Sequence, residues 1–196
     1  MRYSSDHKAE TRARVLREAS REIRAKGPDH VTVAAVMKRA GLTHGGFYSH
    51  FASRDALVVE AIDAMFEDAL RLSRAVEAKT EPRVALLDYI DIYLSRAHRD
   101  ARERGCPLPA LSGDLARAGP AARDRFTAGL AVLTERLSSA VAALGVEHPD
   151  VQASAILSQM VGAIVLARAV EGPASDAILE NARSSLISRY GLENAA

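Results

Sequence analysis

Residues 42–51, Leu-Thr-His-Gly-Gly-Phe-Tyr-Ser-His-Phe, restrict the fold more than any other stretch of this 196-residue chain. Phe47 and Phe51 stand four apart and share one helical face, while His44, Tyr48 and Ser49 point elsewhere. The spacing predicts a short α-helix, capped by Thr43, anchored from behind and bare in front. Gly45 and Gly46 fall in its first turn, where each costs about 1 kcal/mol against alanine. A bare first turn offers close approach: backbone N–H groups and the positive end of the helix dipole can meet a phosphate or the floor of a DNA groove. Taken alone, the segment also fits a surface helix with a loose start.

The residues upstream narrow this choice. Thr32 is placed to cap a helix over residues 33–40, with Val33, Val36, Met37 and Ala40 at helical spacing and Gly41 as its stop. A helix, a glycine turn and a second short helix make a helix-turn-helix. Before them, residues 8–26 carry the apolar stripe Val15, Leu16, Ala19 and Ile23, stopped by Lys26-Gly27-Pro28. Three helices in about 50 residues can hold a small core.

Charge sets this unit apart. Residues 1–54 contain 11 Lys or Arg and 5 Asp or Glu, net +6, whereas residues 55–196 contain 15 and 20, net −5, giving the overall +1. A basic head on an acidic body points to a polyanion partner for the head, because phosphate neutralisation supplies most sequence-independent affinity for DNA. Arg12, Arg14, Arg17, Arg21 and Arg24 also fit a solvated helix face, partly paired with Glu10, Glu18 and Glu22.

Residues 8–60 resemble the DNA-binding domain of the tetracycline-repressor (TetR) family of transcriptional regulators. The matching pieces are Thr-Arg-x-Arg-Val-Leu-x-x-Ala from residue 11, Val-Thr-Val-x-x-Val-x-x-x-Ala-Gly-Leu from residue 31, and Thr-His-Gly-Gly-Phe-Tyr-Ser-His-Phe-x-Ser-Arg-Asp-Ala-Leu from residue 43. The resemblance implies that the third helix enters the major groove and that the fourth joins the head to a ligand-binding body. It implies phosphate contacts from Thr32, Tyr48, His50 and Arg54. Thr43, His44, Gly45 and Gly46 would face the groove, and Phe47 would be core. Ser49, where larger residues are common in the family, leaves base readout thin, so DNA shape or bridging water must share it.

The body reads as further helices. Ser53 caps residues 54–79, which carry Leu57, Ala61, Met65, Phe66, Ala69 and Leu72 inward; Pro82 opens 82–104, with Leu86, Leu87, Ile90, Tyr93, Leu94 and Ala97 inward. Helices at 109–117 and 120–144 follow. Residues 150–170 are apolar around most of their circumference, and Ser175 caps a last helix to residue 190. With no strand alternation, the expected fold is all-α, about nine helices: a helix-turn-helix head over residues 1–53 and a helical ligand-binding and dimerisation body over 54–196. The resemblance implies a homodimer through the helices near 150–170 and 175–190, a palindromic operator on double-stranded DNA, and a small-molecule inducer. The expected output on this reading is repression.

For the pocket, expected between the helices at 54–79, 82–104, 109–117 and 120–144, the candidate polar groups are Tyr89, Tyr93 and His98. Each also fits a core aromatic or a solvent-facing histidine. Cys106, beside Arg102 and Arg104 and near a helix start, has surroundings that can lower a thiol pKa and make a redox or electrophile sensor; the alternative is an inert buried thiol. Catalysis finds no support: His44 and His50 lack a ligand cluster for zinc, and no phosphate loop, serine elbow or cysteine–histidine signature appears. No cofactor or metal is expected. The run Val161 to Ala167 is short of the roughly 20 apolar residues a membrane span needs, and the charged N-terminus lacks a signal-peptide core, so a cytoplasmic protein is expected.

Overall fold

Val15, Ala19 and Ile23 recur every four residues on the first helix, and all three are fully buried. This stripe turns helix α1 (Arg2–Lys26) into the spine of the molecule. The computed structural model describes residues 2–77, 81–115 and 118–193, with side chains described except at 2–5, 72, 73 and 75–77. The expected helix ends at Lys79 and residue 117 and the inward Leu72 side chain lie outside the described residues. Helix α1 starts before residue 8 and stops at Gly27, whose N–H bonds the Ile23 carbonyl at 2.8 Å with φ at 84°. A Cβ on Gly27 would lie 2.5 Å from Asp114 Oδ2, so glycine also permits the close approach of a distant segment.

A short 3-10 helix (Pro28–His30) leads to α2 (Val33–Arg39), and a second 3-10 helix (His44–Ser49) leads to α3 (Arg54–Glu77). Then come α4 (Pro82–Tyr93), α5 (Arg96–Asp100), α6 (Pro107–Leu111), α7 (Pro120–Ala142), α8 (Pro149–Ala169) and α9 (Pro173–Tyr190). The described residues contain no strand, and the fold is all-α. Capping explains two starts. Thr32 Oγ1 accepts the Ala35 N–H at 3.2 Å, and Ser53 Oγ accepts that of Ala56 at 3.0 Å.

Elsewhere side-chain chemistry moved the boundaries. The expected helix 82–104 is broken, because Ser95 Oγ donates to the Ile92 carbonyl at 2.8 Å and accepts the His98 N–H at 3.1 Å, ending α4 and capping α5. Ala97, expected inward, is exposed beyond that break. Helix α6 begins at Pro107, and α9 begins at Pro173, since proline fills a first-turn position that needs no N–H. Ser175 is therefore inside α9 instead of capping it; its buried hydroxyl donates to the Ala167 carbonyl at 2.6 Å.

Helix α3 packs on α1 and α7, α7 on α8, and α8 on α9, so one core runs from head to body. Head and body are tied through side chains as well. The buried Arg24 of α1 reaches the Met65 carbonyl at 3.4 Å and Asp68 at 3.3 Å on α3. Helix α8 is long and apolar enough to cross a membrane by length and composition. Ala153, Ile156, Met160, Ala163, Ile164 and Ala167 nevertheless form one buried row in the core, while Val151, Val165, Leu166 and Val170 are exposed.

Where α7 crosses α3, Phe66 meets Phe126 edge-on with ring centroids 5.6 Å apart. Gly129 lies against the Phe66 ring, and a Cβ there would overlap the ring carbons. Gly129→Ala should therefore destabilise the protein by about 1–3 kcal/mol despite its better helix propensity. Urea unfolding measures this directly; an unchanged midpoint would mean that α7 does not seat on Phe66.

Candidate nucleic-acid interface and ligand cavity

The 42–51 segment begins with a sharp reversal. Helix α2 ends at Ala40, Gly41 takes the left-handed conformation at φ 71°, and the Leu42 N–H bonds the Met37 carbonyl at 2.9 Å. Residues His44–Ser49 then form a 3-10 helix in place of the expected α-helix. Thr43 occupies the capping position, but its side chain makes no capping bond, in contrast to the expectation. The tighter winding is closed by local bonds, Gly46 N–H to the Thr43 carbonyl at 3.2 Å and Ser49 hydroxyl to the Gly46 carbonyl at 2.7 Å. Such short hydrogen-bonded loops suit a glycine pair that contributes no side-chain packing.

Behind this turn, Phe47 and Phe51 stack with centroids 5.6 Å apart and both are buried. In front, Thr43, His44, Gly45 and Tyr48 are exposed, and Gly46 is half-buried. Tyr48 touches Phe47 edge-on at 5.2 Å yet is 67% exposed, so its ring is oriented by the core and its hydroxyl is presented to solvent. Thr32 is exposed at the start of α2.

His50 and Arg54 are differently disposed. Burial pushes the His50 pKa down, and the positive Lys8 and Arg12 push it further, so at neutral pH the ring offers a phosphate an N–H and no charge. Its Nδ1 is buried without a hydrogen-bond partner. Arg54 donates from Nε to the Val31 carbonyl at 3.1 Å, from Nη2 to the Pro28 carbonyl, and pairs with Asp55 at 3.0 Å. In this conformation its guanidinium braces the turn before α2 against the start of α3.

In the body, a cavity of about 160 Å³ brings together Tyr89, Tyr93, His98 and Cys106, with Asp68, Arg104 and Gly105 also at its wall. It is lined from α3, α4, α5 and the loop before α6. The expected contributions from the helices at 109–117 and 120–144 are absent from its described lining. Cys106 N–H donates to His98 Nε2 at 3.0 Å, so that nitrogen must be unprotonated; Nδ1 then carries the proton and donates to the Tyr93 carbonyl at 2.6 Å. Burial lowers the His98 pKa, the Tyr93 carbonyl opposes this, and Arg168 adds to it. The buried Tyr93 hydroxyl finds no nitrogen or oxygen partner and lies beside the Cys106 thiol, and burial holds its pKa well above the ordinary phenol value.

Of the two readings of Cys106, the surroundings of the thiol support the inert one. Burial pushes the Cys106 pKa up, against smaller opposing effects of Tyr93, the Leu108 backbone, Arg24 and Arg168. Arg102 is turned away, its Nη2 donating to the Arg168 carbonyl at 2.9 Å. Proximity in sequence to two arginines is outweighed by desolvation of the sulfur.

Residues 15–61 match the family model for bacterial regulatory proteins of the tetR family. The match covers the helix-turn-helix head and the start of α3. It is 32% identical over 81 residues to the HTH-type transcriptional regulator TtgR of Pseudomonas putida, covering 41% of this chain and 39% of TtgR. The probable HTH-type transcriptional regulator ArpR, also of Pseudomonas putida, matches equally, at 32% over 81 residues and the same coverage of 41% and 39%. The chain thus spans about two fifths of the length of these curated relatives.

The fold extends the likeness. A TetR transcriptional regulator from Chloroflexus aurantiacus J-10-FL superposes with a TM-score of 0.83 at 23% identity, covering 95% of this chain and 96% of that one. The reduced form of E. coli NemR superposes at 0.81 and 21% identity, covering 91% and 96%. The matched model is that of bacterial regulatory proteins, and both Pseudomonas putida relatives are transcriptional regulators by name.

Sequence reasoning missed a charge cluster that joins α1, α2 and the loop after α5. Arg39 of α2 donates to Glu18 at 3.0 Å, to Glu22 at 3.2 Å and to Glu103 at 3.0 Å. Glu18 and Glu22, four apart on α1, were a legible pair; Glu103, far away in sequence, carried no local signal.

The His98 geometry has a pH signature. Its folded pKa lies below the unfolded value near 6.5, so the unfolded chain binds more protons as pH falls through that range. Stability is then fully present above about pH 6.5 and declines below it as protonation removes the acceptor for Cys106 N–H. Denaturant titrations between pH 7.5 and 5.5 should show this loss, and His98→Gln should flatten the slope. His50 contributes in the same direction and supplies the residual slope; an unchanged slope in the variant would contradict the assigned tautomer.

Proposed function

We propose that this TetR-family chain is a homodimeric repressor that acts in the cytoplasm, binds a palindromic operator and is released by a small molecule in the Tyr93 cavity. The observation that carries the DNA reading is the exposed Tyr48 and Gly45 on a turn propped from behind by buried Phe47 and Phe51, within a head of net charge +6. Thr32 Oγ1 accepts a backbone N–H, which leaves its own O–H free to donate to a phosphate. Tyr48 and the neutral His50 add further phosphate contacts. Arg54 contributes by holding the start of α2 in place. Thr43 and His44 are the polar groups nearest the base edges, with Gly45 and Gly46 admitting the duplex backbone.

The exposed side of α8 and its C-terminal end support the dimer reading. Val151, Val165, Leu166 and Val170 are exposed there, and the intervening Ala155, Ser158 and Gly162 are small enough for close helix contact. Paired with α9 and their copies, they make a four-helix interface. Two-fold symmetry then sets two recognition turns about 34–36 Å apart along an inverted repeat. Of the two triggers considered, a small molecule fits better than thiol modification, because the Cys106 thiol is held protonated while the Tyr93 hydroxyl lacks a nitrogen or oxygen partner in a cavity.

Fluorescence anisotropy against DNA from upstream of the coding sequence should give an affinity roughly a thousandfold or more above that for random DNA. Equal affinities would end the repressor reading. Tyr48→Phe should weaken both complexes alike, since a phosphate contact carries no base information. Sedimentation should find a dimer in the native protein. Leu166→Glu, which leaves the buried row of α8 intact, should convert it to monomer and lower operator affinity by at least roughly tenfold; a dimer that persists unchanged would move the interface elsewhere.

A further inference from the structure

The loop between α5 and α6 touches the cavity and the helix-turn-helix within four residues. At its far end, Cys106 N–H is held by His98 Nε2 at 3.0 Å. Next to it, Gly105 is buried so tightly that a Cβ would stand 2.9 Å from His98 Nε2 and 3.0 Å from Arg168 Nη2. Arg168 in turn is fixed by the carbonyls of His98 at 3.1 Å and Arg99 at 3.0 Å. The backbone here therefore cannot shift without His98, nor His98 without the backbone. Two residues before Gly105, Glu103 bonds Arg39 through both oxygens, at 3.0 and 3.5 Å.

Arg39 occupies a special place among the head-to-body ties. Arg24 to Asp68 and Ser20 to the Ala61 carbonyl join α1 to α3. Helix α2, which carries the turn into the recognition segment, packs chiefly on α1 and that segment. Among the described residues, its polar link to the body is Arg39–Glu103. All three guanidinium nitrogens are engaged, two sides by Glu18 and Glu22 of the head and one by Glu103 of the body. This planar fork fixes an orientation that a point charge would not.

We propose that Glu103 is a latch by which the cavity controls the helix-turn-helix: an occupant that displaces His98 or Cys106 drags Gly105, pulls Glu103 from Arg39 and frees α2. The sense of the switch, latch closed and DNA bound, rests on the repressor reading above. The latch itself does not. Charge balance also fits a release device. When Glu103 leaves, Arg39 keeps Glu18 and the buried Glu22, so no buried charge is stranded and opening is cheap.

The test is a double-mutant cycle on the full-length protein with Glu103→Gln, Gly105→Ala and both together. Hydrogen exchange is followed by mass spectrometry in peptides covering 31–42, and affinity for the upstream DNA by anisotropy. Gly105→Ala wedges the wall as an occupant would and needs no identified ligand. Each single variant should raise α2 exchange and weaken DNA binding by about two- to fivefold, the scale of a half-exposed ion pair. The double variant should match the single ones. Additive effects, or α2 exchange unchanged by Glu103→Gln, would overturn the latch. If Gly105→Ala does not fold, the Glu103→Gln exchange result decides alone. Native protein that binds upstream and random DNA equally would remove the repressor reading, while the exchange cycle still judges the latch.

Discussion

The stack of Phe47 on Phe51 is the contact on which the rest of the head depends. A six-residue 3-10 helix with two glycines cannot hold its shape by its own hydrogen bonds, because short helices are marginal even with good helix formers. Its geometry is imposed by the burial of two rings beneath it. The Arg12 guanidinium lies over the Phe51 ring at 4.7 Å and also pairs with Glu60, so the stack is clamped between α1 and α3. Any motion of α3 relative to α1 must therefore pass through the floor of the recognition turn. On the proposed reading, that coupling carries a body-borne signal to the exposed face of the turn.

The basic character of the head divides into two kinds of charge. Arg14 and Arg17 are exposed and contribute to the long-range field. Arg24, buried, and Arg39, at the surface, are engaged by carboxylates of the chain itself. Arg24 is so desolvated that burial lowers its pKa despite the opposing Asp68. Arg39 is driven the other way by hydrogen bonds to Glu103 and Glu18. A count of +6 thus describes the sign of the surface but overstates the charge free to meet phosphate. Arginine is used here as a structural fork as much as a cation.

Much of the fold was legible because helices are written locally. The stripe Val15, Ala19, Ile23, the caps Thr32 and Ser53, and the proline starts at residues 82 and 120 all act within one turn. The failures share a cause. Ser95 broke a helix and Ser175 abandoned a cap because a serine hydroxyl has several backbone partners at similar cost, and packing chooses among them. Tyr89, Tyr93, His98 and Cys106, singled out for their chemistry, line one cavity. For Cys106 the sequence left a reactive and an inert thiol both open, because desolvation is a three-dimensional quantity that the arginines adjacent in sequence do not reveal. Arg39–Glu103 was invisible for the same reason, as an ion pair closed only by tertiary structure.

The size of the cavity bounds what the switch can be. At about 160 Å³ it is close to the engineered apolar cavities of roughly 150 Å³ that take benzene. An occupant of about six to eight non-hydrogen atoms reaches at most roughly 1.5 kcal/mol per atom, and only its preference for one conformation over the other shifts the equilibrium. A switch built on repacking a large core would exceed that supply. A half-exposed ion pair whose cation keeps two other carboxylates asks for far less, which suits the proposed latch to so small a cavity.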